Sequence, residues 1–201
     1  MKKYKLNFLS FFVILLLSSC SINSTSYNYV DKNKIVKFET KTFDKKITSD
    51  SIFYMEIVAD SLKILIKKHK ISVIINKTTV CGGFINSLTN YIIFLNKIIE
   101  KYKDIKFIFI FSGFEINNVK KMLDKTNYNQ QFYFIHHKYG NNVGCAEKNF
   151  YIDLCDYELK SNILYREPIE WFIFQEGIFI KAGYGRPELE NKLDSIYQIN
   201  Y

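Results

Sequence analysis

Cys81 is the residue whose type and position most clearly allow chemistry. It lies in the sequence VCGGF, between the apolar run ISVII and a long stretch of helical periodicity. A cysteine at the start of a helix faces backbone N–H groups that lack partners and the positive end of the helix dipole. Both favour the thiolate and lower a thiol pKa from its usual value of about 8.5. Cys81 is therefore a candidate nucleophile, and the alternative is a buried, inert cysteine.

The N-terminus has the pattern of a secretory signal peptide. Three lysines among the first five residues precede a short apolar run, and small residues then lead to Cys20. The apolar run is shorter than the roughly 20 residues that a membrane-spanning helix needs. We predict that residues 1–19 are a signal peptide, that residues 20–35 form a polar tether, and that residues 36–201 form one domain outside the cytoplasm.

Cys145 and Cys155 form a second candidate pair, in the sequence CAEKNFYIDLC. Disulfides persist outside the cytoplasm, so two cysteines this close predict a disulfide between them. Two alternatives stay open: both remain thiols, or one of them resolves a disulfide formed by Cys81.

His136 and His137 raise the question of a metal site. Adjacent residues at the end of a strand point to opposite faces, and the spacing of the nearby cysteines and histidines matches no zinc pattern. We therefore predict no metal ligands and no cofactor.

The formal charge of +8 comes from lysines scattered along the chain rather than grouped in a patch. Scattered charge is not the electrostatic footprint of a nucleic-acid-binding surface, so no nucleic-acid partner is predicted.

The elements that must position these residues alternate between strands and helices. Residues 71–75 and 105–111 are apolar runs typical of buried parallel strands. Between them, apolar residues recur at helical spacing and predict one long amphipathic helix. That stripe consists of Phe84, Leu88, Tyr91, Ile92, Leu95, Ile98, Ile99 and Tyr102.

The remaining segments are shorter. The sequences DKNKIVKFET and QFYFI are strand candidates, and the stretch before Ile66 is ambiguous but favours a helix. A further helix is predicted from Glu115, and residues 138–161 resemble a loop insertion. A hairpin should turn at residues 176–177, and Pro187 suits the first turn of a last helix. Together these elements predict an α/β sandwich with a central mixed sheet flanked by helices.

Two family resemblances follow from these residues. The sequence LSSC at residues 17–20 resembles the lipobox of bacterial lipoproteins, which implies a lipid on the sulfur of Cys20. It also implies attachment to the membrane of the cell envelope, on the periplasmic side. The element order from Ile71 onward resembles the thioredoxin fold, especially the redoxins tethered in bacterial envelopes. In that family a cysteine motif opens the long helix, where Cys81 stands, and a cis-proline begins a later strand, where PIEWFIFQEG places Pro168.

The departures from the thioredoxin pattern leave two functions open. The family motif is C-x-x-C, whereas this chain has CGGF, with Phe84 in place of the second cysteine. The resemblance thus implies either monothiol redox chemistry, with Cys81 as nucleophile and Pro168 shaping the groove for an envelope protein substrate, or a non-enzymatic binding or structural lipoprotein on a redox-inactive scaffold. The sequence TTVC also meets part of a peroxiredoxin pattern, but Ile74 stands where that pattern has proline.

Overall fold

The computed structural model describes residues 35–37, 54–78, 84–113, 119, 121, 125–126, 131–140, 142–155 and 169–200. Within these residues, seven strands form one sheet, and four helices of eight or more residues accompany it. The elements in chain order are β1 (Ile35–Lys37), β2 (Tyr54–Ile57), α1 (Ala59–Ile66), β3 (Ile71–Lys77), α2 (Phe84–Lys101), β4 (Ile105–Phe111), β5 (Phe132–Ile135), α3 (Val143–Leu154), β6 (Trp171–Gln175), β7 (Ile178–Gly183) and α4 (Arg186–Asn200).

The strand order in the sheet is β1-β2-β5-β4-β3-β6-β7. The first five strands in that order are mutually parallel, whereas β6 is antiparallel to β3 and β7 is antiparallel to β6. The parallel strands β3 and β4 are buried almost throughout. This is why their sequences are continuous apolar runs rather than alternating ones.

Two hydrophobic cores lie on opposite faces of the sheet. The first contains side chains of α2 and α4, such as Leu95 and Leu193, packed against Phe109 of β4. The second contains side chains of α1 and α3, such as Leu62 and Phe150. Successive β4 residues divide between the two cores, as the two-residue period of a strand requires. The sheet is therefore the middle layer of an α/β/α sandwich.

The arrangement is that of the thioredoxin fold. Strand β3, helix α2 and the parallel strand β4 form one half of its core, and the antiparallel hairpin β6–β7 followed by α4 forms the other. The predicted strands at residues 71–75 and 105–111, the long helix between them, the strand QFYFI and the last helix are all confirmed. The predicted hairpin turn is confirmed as well, with Glu176 and Gly177 both at positive φ.

Two predictions of local structure need correction. The stretch before Ile66 is not one helix: residues 54–57 pair with β1 and β5 as strand β2, and the helix begins only at Ala59. Pairing within the sheet has overridden the local helical pattern. The predicted loop insertion contains helix α3, which begins where the Asn142 side chain accepts a hydrogen bond from Gly144 N at 2.9 Å. An N-cap of this kind satisfies one of the unpaired N–H groups at a helix start.

Candidate functional site

The predicted site residues Cys20, Cys81 and Pro168 lie outside the described residues, but the strands that lead to two of them are described. Ile75 of β3 pairs with Trp171 of β6. The pairing continues for one more residue, because Asn76 N donates a hydrogen bond to Glu170 O at 2.8 Å. In the sequence, Cys81 follows Asn76 by five residues, and Pro168 precedes Glu170 by two. Both segments therefore leave adjacent strands at one edge of the sheet.

A charged pair occupies the same edge. The Lys77 ammonium and the Glu170 carboxylate form an ion pair, and their side chains are only 12% and 19% exposed. Gly185 N donates to the second Glu170 oxygen at 3.1 Å. Burial lowers the pKa of Lys77, and the hydrogen bond to Glu170 partly offsets that shift. This pair links the end of β3 to the start of β6.

One aromatic ring contacts the charged pair, and Trp171 follows Glu170 in the chain. Lys77 Nζ lies 3.8 Å from the centroid of the Tyr91 ring on α2, a cation–π distance. Burial, and then the negative charge of Glu170, raise the pKa of the Tyr91 hydroxyl, so Tyr91 stays neutral at physiological pH. Trp171 donates from Nε1 to Gly185 O at 3.1 Å. The start of β6 is thus tied to the turn before α4.

The structure contradicts the predicted disulfide between Cys145 and Cys155. Both residues are thiols, with Cys145 exposed and Cys155 buried. They stand near opposite ends of α3, and ten residues of α-helix span about 15 Å, whereas the Cα atoms of a disulfide lie within about 7 Å. Close spacing in the sequence predicts proximity for two cysteines in a loop, whereas a helix holds them apart.

Helix α3 begins at the sheet edge where the Cys81 and Pro168 segments leave. It follows the C-terminal end of β5, which is parallel to β3, and Asn76 Nδ2 of β3 donates to Glu147 Oε1 at 3.0 Å. Cys145, in the first turn of α3, is therefore at that edge. Cys155 follows the last residue of α3 and so lies at the far end of the helix.

The two histidines do not point to opposite faces, so that prediction is wrong. Their rings stack with centroids 4.1 Å apart. His136 follows the last residue of β5, and His137 begins a short 3-10 helix, so the alternation of a strand no longer applies. His137 Nδ1 lies 2.9 Å from Glu56 Oε1, and His136 Nε2 lies 3.7 Å from Glu56 Oε2. Among the described residues, this cluster brings three ligand atoms within 4.8 Å of one another.

Sequence reasoning missed three charged residues that the structure places at the C-terminal edge of the parallel strands. These are Glu56, Lys77 and Glu170. Each interrupts or ends an apolar run in the sequence: YMEIV, VIINK and IEWFIF. A charge within a run that is otherwise apolar was the available signal, because such a charge must find a partner when it is buried.

None of the described helices is long and apolar enough to cross a membrane.

The sequence matches no protein-family model and no curated protein sequence. Solved structures of thioredoxin-like proteins do resemble the chain. The thioredoxin domain of a thiol-disulfide oxidoreductase from Bacteroides vulgatus has a TM-score of 0.41 at 12% identity, over 65% of this chain and 81% of that one. A secreted disulfide oxidoreductase from Mycobacterium tuberculosis has a TM-score of 0.37 at 13% identity, over 63% and 81%. Yeast Sco1 has a TM-score of 0.39 at 17% identity, over 64% and 85%. These likenesses concern the fold alone.

Proposed function

We propose that this chain is a lipid-anchored protein of the bacterial cell envelope whose thioredoxin-like domain carries out monothiol redox chemistry through Cys81. The observation that carries the proposal is the pairing of β3 with β6 up to Asn76 and Glu170. The segment that leads to Cys81 and the segment that comes from Pro168 therefore join the sheet at adjacent strand ends. Those are the two positions that the redoxin resemblance makes functional.

The chemistry is an exchange of disulfides. Cys81 stands three residues before the first residue of α2, so the positive end of that long helix favours its thiolate. The thiolate attacks one sulfur of a disulfide in an envelope protein. The S–S bond of the substrate breaks, its other sulfur leaves as a thiolate, and a new S–S bond joins Cys81 to the substrate. No net electrons are lost at this step, because one disulfide replaces another.

The mixed disulfide then needs a second thiol, since Phe84 stands where the family has its resolving cysteine. A low-molecular-weight thiol attacks the Cys81 sulfur of the mixed disulfide, so the substrate leaves as a thiolate and a new S–S bond joins Cys81 to the small thiol. A second molecule of that thiol then releases Cys81 as a thiolate and forms a disulfide with the first. Of the two described cysteines, Cys145 is the better candidate for an internal resolving thiol. It is exposed, and it lies at the same sheet edge as the end of β3, from which the chain continues toward Cys81. Cys155 is buried in the second core near the other end of α3.

The second candidate function is a non-enzymatic binding or structural lipoprotein. Phe84 at the position of the second cysteine favours it, since a redoxin that lost one cysteine can keep the fold without the reaction. In that case the groove beside Pro168 would bind an envelope partner without forming a covalent bond.

The test is reduction of insulin disulfides by the full chain in detergent, with glutathione supplied as the resolving thiol. We expect turnover that Cys81→Ser abolishes and that Cys145→Ser leaves intact if glutathione resolves the intermediate. Phe84→Cys restores C-x-x-C and should increase the rate. Failure of the natural chain to reduce insulin, whether or not Phe84→Cys is active, would overturn the proposal in favour of the binding function.

A further inference from the structure

We propose that Glu56, His136 and His137 form a binding site for a divalent transition-metal ion of the zinc class. The site lies at the C-terminal ends of β2 and β5, where one ligand atom of each side chain lies within 4.8 Å of the other two. It contains no cysteine, so it is independent of the chemistry proposed for Cys81.

The distances suit an ion of this size. Zinc binds imidazole nitrogen and carboxylate oxygen at about 2.0–2.2 Å, and two ligands of a tetrahedral ion at that distance are about 3.4 Å apart. The nitrogen of His137 lies 2.9 Å and 3.2 Å from the two Glu56 oxygens. The nitrogen of His136 lies 3.7 Å from the nearer of them. The distances from the two histidine nitrogens to Glu56 therefore differ from that spacing by about 0.5 Å at most. To share one ion, the two rings would also rotate out of their stacked arrangement so that both nitrogens face it.

The donor set also indicates the kind of ion. Two imidazoles and one carboxylate are the protein ligands of zinc sites that keep a fourth position for water or substrate. Imidazole favours zinc, copper or nickel over magnesium and calcium, which prefer oxygen ligands. The His137 side chain is 37% exposed, so the site has a path to solvent, while the Glu56 side chain is only 1% exposed.

The backbone holds the site in place. Glu56 is paired in register with Phe134 of β5 on one side and with Lys37 of β1 on the other. His136 N donates to Ile57 O at 3.1 Å, which extends the β2–β5 ladder to the first histidine. A ligand carried by a strand between two neighbours is fixed more rigidly than one on a loop.

The protons of the two rings can be assigned from their hydrogen bonds. His136 Nδ1 accepts a hydrogen bond from Lys138 N at 3.0 Å, which places the proton of the neutral ring on Nε2. Metal binding at Nε2 moves that proton to Nδ1, and the backbone N–H of exposed Lys138 then bonds to water. His137 likewise moves its proton from Nδ1 to Nε2. Without metal, the Nδ1–H of His137 donates to the buried Glu56 carboxylate, and His136 Nε2 lies 3.7 Å from that carboxylate.

The experiment is a zinc titration of the full chain in detergent, with its thiols blocked by N-ethylmaleimide, in competition with a chromophoric chelator. We expect one zinc ion per chain. Glu56→Gln, His136→Asn and His137→Asn should each weaken binding by more than about 100-fold, because even the loss of an outer-sphere partner costs 10–100-fold. His69→Asn, the same substitution at the one other histidine of the chain, should not change the affinity. Circular dichroism of each variant reports whether it folds, and the two histidine variants alter partly exposed side chains.

X-ray absorption of the zinc-loaded chain, without thiol blocking, gives a second readout. We expect nitrogen and oxygen ligands near 2.0–2.1 Å and no sulfur near 2.3 Å. Zinc affinity equal to that of the natural chain in all three site variants would overturn the proposal. Sulfur ligation, or loss of all binding after thiol blocking, would overturn it as well.

Discussion

Lys77 and Glu170 show what single residues contribute at the candidate site. An ion removed from water carries a desolvation penalty that its partner offsets only when the two charges are in contact. The two side chains come from neighbouring strands and meet where the sheet ends. The pair therefore fixes the end of β3 relative to the start of β6, the two points from which the chain continues toward Cys81 and Pro168.

Removing one charge of this pair should lower the free energy of unfolding more than removing both charges does. Lys77→Met leaves the Glu170 carboxylate without its cation and should lower the free energy of unfolding by about 3 kcal/mol. The double variant Lys77→Met/Glu170→Leu should recover part of that loss. Lys101→Met, which breaks an ion pair whose side chains are nearly half exposed, is the matched control and should have a much smaller effect. Urea unfolding of the natural chain, Lys77→Met, Glu170→Leu and the double variant measures the coupling as a double-mutant cycle, and strictly additive changes would contradict it.

Tyr102 gives a pH-dependent prediction. Its hydroxyl donates to Asp194 Oδ1 at 2.5 Å, and this bond, followed by the one from Lys101, lowers the pKa of Asp194 below its usual 3.8. A carboxyl group with a lowered pKa in the folded state stabilises the fold above its unfolded pKa, and that stabilisation is lost as pH falls through the folded pKa.

Tyr102→Phe keeps the buried ring and removes the hydroxyl. The variant should be less stable than the natural chain at neutral pH, and the difference should shrink as pH falls toward about 2. Urea unfolding at stepped pH measures the difference, and carbon NMR should show the pKa of Asp194 rising toward its usual value. A stability difference that does not change with pH would contradict the assignment.

At the scale of elements, the hairpin β6–β7 packs against its own first residue. Trp171 is fully buried, and a Cβ atom added at Gly183, its partner in β7, would overlap the indole ring and lie 2.6 Å from its Cη2. The ring also donates to Gly185 O just before α4. The absence of a side chain at Gly183 thus lets the hairpin close over the tryptophan beside the candidate site.

Gly183→Ala should destabilise the domain by about 1–3 kcal/mol, as overpacking in a core does. Gly144→Ala in the first turn of α3 is the matched control. Its added Cβ atom has its nearest neighbour at 3.5 Å, and alanine is the better helix residue by up to about 1 kcal/mol. The midpoint temperature of thermal unfolding should fall for Gly183→Ala and should rise or stay unchanged for Gly144→Ala. Equal destabilisation by both substitutions would contradict this account of Gly183.

Some of these elements can be predicted from local sequence patterns, and others cannot. The helical spacing of α2 and the apolar run of β4 are local patterns, and both elements are confirmed. Helix α3 was missed because its buried residues are few: Ala146, Phe150, Tyr151 and Leu154. The contact of Glu56 with His137 spans 81 positions and depends on β2 pairing with β5. No local pattern indicates such a pairing, so the histidine cluster could not be predicted.

At the scale of the whole molecule, the proposed anchor and the domain have separate functions. The sheet and its two cores form the described part of the chain, and no helix there is suited to crossing a membrane. We propose that the lipid on Cys20 holds the domain at the envelope membrane. A single acyl chain binds a membrane only weakly, so stable attachment requires further acylation.

Cys20→Ala should abolish lipid attachment. Metabolic labelling with a fatty acid in a bacterial host measures it directly, and Cys145→Ala is the control that should keep the label. Label retained by the Cys20→Ala protein would contradict the anchor assignment.

The measurement that tests the central claim most directly is the pKa of Cys81. The full chain with serine at Cys20, Cys145 and Cys155 leaves one thiol, and its rate of alkylation by iodoacetamide is followed against pH, with glutathione as the reference thiol. If the start of α2 activates Cys81, half of the maximal rate should be reached well below about pH 8.5. A thiol that titrates at or above about 8.5, or that does not react, would contradict the redox account and leave Cys81 without a role as a nucleophile.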